Sequence, residues 1–356
     1  MPRVSISVEQ NWNSVPGGTA RSTNRLIDEL LELDDVSVEG LHGRHRAQPT
    51  LALPEGLTSI AVPIPGKVLT QLWSRARVPS VDRWLDPGVD VVHGPAYTLP
   101  PTDRPSVVTI HDLAFVRHPE WFTNNGVGFF TRFLRHVLED RPQVIVPSRH
   151  TADDCVRAGI DPTRIHLIPW GSDIEPVSPE AVAGVRARYG VADDAVVFVG
   201  TREPRKNLST LLEAMARLPK RQLVVVGPDG WGDVDVSGAL TLGQLPSDDV
   251  RALMAGAGLV AYPSHFEGFG LPVLEAMAQG APVVTTEGTA SAEVGGDAVV
   301  AVDTSDAEVL AAAIEETLSS SELRAELSDR GRRRAKGFSW RRTADATTSV
   351  YEGAIS

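Results

Sequence analysis

Short runs of β-branched and other apolar residues recur along the chain, separated by stretches whose apolar positions fall three and four apart. The runs predict strands at 4–8, 36–41, 58–62, 89–93, 107–111, 144–147 and 165–168. The wider period predicts helices at about 20–31, 67–75, 79–85, 125–139 and 150–158. A stretch containing Pro and Glu, 173–180, breaks the alternation and reads as a linker. The pattern restarts with strands at 196–199, 223–226, 240–242, 259–262 and 283–285. Helices follow at about 207–217, 247–256, 271–279, 306–318, 321–333 and 339–354. Strand–helix alternation of this kind argues for parallel sheets covered on both faces. The expectation is an α/β chain of two doubly wound domains, 1–172 and 173–338, facing a central cleft. Ligands of such sheets lie beyond the carboxyl ends of the strands, so the loops leaving the strands carry the search.

Composition narrows the classes. A length of 356 residues suits two domains, and 42% hydrophobic residues can fill two cores. The one cysteine, Cys155, excludes an internal disulfide framework and a thiolate zinc cluster. Net charge is −12, and the field it creates opposes binding to nucleic acid. Most of the charge lies late: residues 1–172 carry 17 basic and 19 acidic groups, leaving 17 and 27 for 173–356. A phosphate ligand must then be held by a few local cations. The start of the chain lacks the pattern of a signal peptide, and no run reaches membrane-spanning length. Both point to a cytoplasmic protein, at most peripheral to the inner face of a membrane. The stretch 129–136, Phe-Phe-Thr-Arg-Phe-Leu-Arg-His, could lie on such a surface, but its pattern suits inward packing better.

Four loops carry candidate chemistry. In Ser264-His265-Phe266-Glu267-Gly268-Phe269-Gly270-Leu271-Pro272-Val273-Leu274-Glu275 a strand passes into a helix. Gly268 and Gly270 permit close backbone approach, Pro272 suits a first helical turn, and the free amides there form an anion site. Glu267 and Glu275 make sense beside it as acceptors for sugar and ribose hydroxyls. In Gly200-Thr201-Arg202-Glu203-Pro204-Arg205-Lys206-Asn207 another strand enters a helix, with Asn207 as a plausible N-cap. Arg202 and Lys206 supply a fork and a point charge suited to a diphosphate. Gly17 and Gly18 precede the first helix and offer further amide donors. His111-Asp112 ends a strand, where His111 can meet a sugar hydroxyl. Asp233-Val234-Asp235 imitates a metal-binding pair but sits in a Gly- and Asp-rich turn. His42 and His45 are interleaved with Arg44 and Arg46, which disfavours a metal.

Taken together, these segments resemble the GT-B retaining glycosyltransferases of family 4. Glu267 and Glu275, with seven residues between them, resemble that family's paired-glutamate signature. Residues 200–207 resemble its phosphate loop, and Ser148, Thr151 and 168–173 its interdomain segment, although Trp170 stands where smaller residues are usual. His111-Asp112-Leu113 with His118-Pro119-Glu120 resembles a bacterial mannosyltransferase-like branch. The resemblance implies two Rossmann-like domains and a last helix, 339–356, packed back on the first. It places Arg202 and Lys206 on a donor diphosphate, Glu275 on the ribose, and Glu267 with the backbone of Gly268, Phe269, Gly270 and Leu271 on the donor sugar. Gly17 and Gly18 would approach the phosphates, Gly243 and Leu245 would read the base, and His111 would sit at the reacting centre. It further implies transfer of a hexose, with mannose from GDP-mannose favoured over a UDP-linked donor. Anomeric configuration would be retained without a metal or other cofactor, and the acceptor would be a glycan, glycolipid or small molecule. A nucleotide-sugar epimerase and a non-catalytic nucleotide-sugar-binding protein are the alternatives.

Overall fold

The computed structural model describes residues 1–172, 175–230 and 234–356. The chain divides into two compact units: Met1–Gly171 together with Ser339–Ser356, and Ser172–Phe338. The first holds β1 (Arg3–Ser7), β2 (Ser37–Arg44), β3 (Ser59–Pro65), β4 (Val91–Gly94), β5 (Ser106–Thr109), β6 (Gln143–Val146) and β7 (Ile165–Leu167). They form one parallel sheet in the order β3-β2-β1-β4-β5-β6-β7. The second unit holds β8 (Val196–Val199), β9 (Leu223–Val226), β10 (Leu240–Gly243), β11 (Leu259–Tyr262), β12 (Val283–Thr286) and β13 (Val300–Val302). Its sheet runs β10-β9-β8-β11-β12-β13, again wholly parallel. Both orders reverse direction once, between β1 and β4 and between β8 and β11. A doubly wound sheet opens a crevice at such a reversal.

The local signals explain why these elements form. Central strands such as Val-Val-Phe-Val of β8 and Leu-Val-Val-Val of β9 are apolar throughout because helices cover both faces. In the second unit Phe198, Leu211, Val225, Leu310 and Ile314 pack into one core. Helix ends are set by caps: Ser148, Ser178, Thr289, Asp306 and Ser320 each accept a first-turn amide. Gly190 and Gly280 close helices in the left-handed conformation.

The last helix, Trp340–Ile355, belongs to the first unit. Trp340 stacks on Trp170 at 6.0 Å, and Thr343 donates to the Pro169 carbonyl at 2.8 Å. Trp170 is thereby a docking surface for this helix. Tyr351 meets buried His93 at 2.8 Å, and the other ring nitrogen of His93 meets Thr109 at 2.9 Å. Burial lowers the His93 pKa to about 3, so the imidazole is neutral and the hydroxyls on its two sides satisfy it.

Several expectations need correction. The helix predicted at 79–85 is only a turn of 3-10 helix, Val81–Arg83. The Asp82 carboxylate is drawn to Thr102, the Asp103 amide and Arg104, which ties this segment to the following loop. The predicted linker runs into a helix, Pro179–Tyr189, in which Val185 alone is buried, so no apolar stripe announced it. The linker's first two positions, 173 and 174, lie outside the described residues. The helix Ala290–Gly295 and edge strand β13 were too short to show a period. The helix Asn124–Asp140 does pack inward, burying Phe133, His136 and Val137. Among the described residues no helix is long and apolar enough to cross a membrane.

Gly171 is fixed by the return of the chain. A Cβ there would stand 2.0 Å from the Trp340 nitrogen. Gly171→Ala is expected to cost about 2–3 kcal/mol of unfolding free energy by overpacking against backbone. Gly184→Ala, in open space within its helix, should gain up to about 1 kcal/mol. Urea titration of both variants checks the contrast, and equal effects would show that the helix is not docked this way.

Candidate active site

The loops leaving β8 and β11 start side by side at the reversal of the second sheet. The first carries Arg202, Glu203, Arg205 and Lys206, the second Glu267. Lys206 Nζ donates to Glu267 Oε1 at 2.6 Å and to the Tyr262 hydroxyl at 2.7 Å. The Tyr262 hydroxyl in turn donates to Glu267 Oε1 at 3.0 Å. Arg205 Nη1 reaches Glu267 Oε2 at 3.1 Å and the Phe266 carbonyl at 3.3 Å, while its Nη2 bonds Glu203 at 2.8 Å. The side chains of Lys206 and Glu267 are only 10% and 9% exposed. Glu203 is also buried, and Arg205 is largely so. Two positive and two negative charges are thus withdrawn from water as one neutral group, which is how charges survive burial.

Burial opposes the ionised form of Glu267, but the Arg205 and Lys206 charges outweigh it and hold its pKa at about 2. Burial lowers the Lys206 pKa, against the pull of Glu267. Burial first, and the Glu267 charge second, push Tyr262 well above its usual range, so it stays a neutral phenol.

The structure therefore brings Lys206 and Glu267 together, and it adds Arg205, Tyr262 and Glu203, to which the sequence reading gave no site role. A tyrosine closing the otherwise aliphatic β11 was the available signal: a hydroxyl in a buried strand needs a partner. Arg202 is paired instead with Asp229, a residue of the loop after β9 whose side chain is 81% exposed. Gly227 and Gly230 in that loop also went unnoticed. Cβ atoms there would stand 2.1 Å from the Gly200 carbonyl and 2.3 Å from that of Arg202, so both glycines let the two loops touch. Asn207 sits at the head of Leu208–Ala216 but does not cap it. It adopts φ +54° and binds the Thr304 carbonyl and the Thr210 hydroxyl.

Gly270 takes φ +106°, and a Cβ there would meet Ser291 at under 3 Å; its requirement is internal packing as much as ligand approach. Phe269 is buried against Phe338 at 6.0 Å, so a contribution from it to a ligand would be through its backbone. Pro272 lies in the first turn, as expected, and the Val273 and Leu274 amides return to the Gly270 carbonyl. That leaves Leu271 at the mouth of the helix. Gly268 is buried beside Glu267, and Glu275 is half-buried one turn into the helix. Gly243 ends β10 at φ +66° with open space where a Cβ would be, and Leu245 follows half-buried. Around the group are cations for an anion and carboxylates for hydroxyls.

In the first unit Gly17, at φ +65°, and Gly18 open the helix Gly17–Leu31 with nothing within 4 Å of either Cβ position. His111 lies just beyond β5, which stops at Thr109. It is half-buried, 2.7 Å from the Pro95 carbonyl and tilted against Trp170 at 5.6 Å. Burial lowers its pKa. Nε2 must donate to that carbonyl, which leaves Nδ1 of the neutral ring as an acceptor. His42 and His45 both lie against Trp12, at 4.6 and 4.3 Å. Of the apparent metal pair, Asp233 lies outside the described residues, and Asp235 accepts the Ser237 amide. Cys155 is buried, and burial raises its pKa to about 12, so it is an inert thiol.

Comparison with known proteins places this geometry. Residues 16–176 match the family described as Glycosyltransferase Family 4, and residues 190–334 that described as Glycosyl transferases group 1. The chain is 33% identical over 282 residues to O-antigen chain mannosyltransferase B of Escherichia coli, covering 74% of each chain. It is 33% identical to D-inositol 3-phosphate glycosyltransferase of Saccharomonospora viridis, over 71% of this chain and 65% of that one. Among solved structures, Alr3699/HepE of Anabaena in complex with UDP and glucose superposes with a TM-score of 0.75. That match has 18% identity and covers 99% of this chain and 100% of the other. The chain belongs to the family 4 glycosyltransferases of GT-B fold and is a transferase enzyme.

Glu267 supplies a test of the buried group. Its pKa is depressed from 4.5, so its contribution to stability is complete above pH 4.5 and is lost as pH falls towards about 2. Glu267→Ala is expected to cost about 3–5 kcal/mol at pH 7, since it strands the buried Lys206 and leaves Arg205 with Glu203 alone. The cost should shrink as the pH is lowered through that window. Denaturant titrations at pH 7 and pH 3 check it; a pH-independent cost would show that the carboxylate is not ion-paired.

Proposed function

We propose that the second unit binds a nucleotide-sugar donor and that Lys206 and Arg205 stabilise its diphosphate as the bond to the sugar breaks. The observation that carries this reading is the Lys206–Glu267–Arg205 group at the reversal of the second sheet. Because the buried charges already cancel, the donor's own charge needs a further cation. Arg202 suits that role, since its exposed partner is easily exchanged for a phosphate. Glu267 accepts hydroxyls of the donor sugar and Glu275 those of the ribose. Gly268, Phe269, Gly270 and Leu271 contribute backbone, and Gly243 and Leu245 lie by the base. Gly17 and Gly18 offer amides, and His111 presents Nδ1 to a hydroxyl.

The transferred group is a hexose. Mannose from GDP-mannose is favoured by the mannosyltransferase relative, while the UDP complex of Alr3699/HepE supports a UDP-linked donor as the alternative. The acceptor is a glycan, a lipid-linked sugar or a small polyol. In the transfer step the bond between the anomeric carbon and the phosphate oxygen breaks, and its electron pair stays on the phosphate. Lys206 and Arg205 meet that growing charge, the task a metal performs elsewhere. The acceptor oxygen bonds the same face of the sugar, and its proton passes to the departing phosphate. Retention follows. Glu267 does not serve as the nucleophile, since both of its oxygens are engaged by cations.

Screening nucleoside diphosphates by thermal shift should reveal one that stabilises the chain, by about 2.7 kcal/mol at a hundred times its Kd. Lys206→Ala should lower kcat at least about tenfold through loss of a charge-assisted contact; unchanged turnover would remove the phosphate role. Activity should be full in excess chelator, and a strict Mg²⁺ requirement would overturn metal independence.

A further inference from the structure

We propose that Tyr262 is a positioning residue: its hydroxyl, locked between Lys206 Nζ and Glu267 Oε1, aims the remaining ammonium N–H of Lys206 at the donor diphosphate. The inference rests on the donor-binding reading of this site. An ammonium has three N–H donors and rotates freely about its last bond. Here two are committed, at 2.6 Å to Glu267 and 2.7 Å to Tyr262, so the direction of the third is fixed.

The phenol is suited to hold that geometry. It is 1% exposed and ends a strand paired on both sides, with β8 and β12. Its backbone carbonyl is held by the Thr285 hydroxyl at 2.9 Å. A phenol also meets the needs of both neighbours, accepting from Lys206 while donating to Glu267. A site positioned by a rigid strand is more exact than one positioned by a loop.

The arrangement has a consequence in pH. Diphosphate binding needs the protonated ammonium and is lost as pH rises through the Lys206 pKa. The charged groups facing Lys206 are Glu267 from the loop after β11, and Arg205 and Glu203 from its own loop. Removing the Tyr262 hydroxyl takes away an acceptor for the charged form, so the alkaline limit must move to lower pH.

The test uses the full chain with UDP and GDP as probes, by calorimetric titration between pH 6.5 and 10. Wild type is expected to bind at least one of them. Tyr262→Phe keeps the ring, should melt cooperatively, and should bind about tenfold more weakly at pH 7.5 for loss of a hydrogen bond to a charged group. Its alkaline fall in affinity should come at least about half a pH unit earlier, a shift that a purely structural change would not produce. Tyr189→Phe, which removes a hydroxyl bound to Asp249 away from this group, should bind at pH 7.5 as wild type does. Wild-type affinity with an unshifted limb in Tyr262→Phe, or equal weakening in Tyr189→Phe, overturns the positioning role. Failure of wild type to bind either probe overturns the donor reading itself.

Discussion

A carboxylate shared by two cations out of reach of water constrains everything around it. Glu267 can be buried as an anion only while Lys206 and Arg205 reach it, so the loops that leave β8 and β11 must stay in contact. Their contact sets the remaining geometry. The loop after β9 closes over residues 200–202 through Gly227 and Gly230, where side chains would collide with backbone. Gly270 turns left-handed so that the next helix can begin against Ser291. The glycines of this region thus serve loop-to-loop packing first, whereas a Cβ at Gly243 would meet open space.

If a donor diphosphate is bound here, the same economy sets the terms of its binding. Four buried charges that sum to zero offer no net charge to draw in a diphosphate from a distance. The attraction has to come from a cation whose own partner is weakly held, and Arg202 has such a partner in Asp229. In the proposed reaction the preorganised Lys206 and Arg205 meet the charge as it develops, and Arg202, the exchangeable cation, meets the donor on arrival.

The first unit is held by different means. Its sheet is closed by the last helix through a neutral histidine between two hydroxyls, a stacked tryptophan pair and a glycine tight against backbone. Trp170 packs on Trp340 and His111. His111 is oriented by the Pro95 carbonyl, so its tautomer is decided by a loop from the neighbouring strand.

Much of this was legible in the sequence. Apolar runs of four or five residues alternating with helical periods determine an α/β chain of two doubly wound sheets, because parallel strands covered on both faces leave no other pattern. Glycines and charges at the ends of those runs located the loops of the site, and Lys206 and Glu267 were chosen from them. The sequence could not say which of three cations, Arg202, Arg205 or Lys206, share a carboxylate 61 to 65 positions away. That choice depends on the strand order, which sets β11 beside β8. Nor could it show that Tyr262, read as the end of a strand, turns its hydroxyl into a charged group. Periodicity reports what a residue buries; only the tertiary structure decides what a buried polar atom meets.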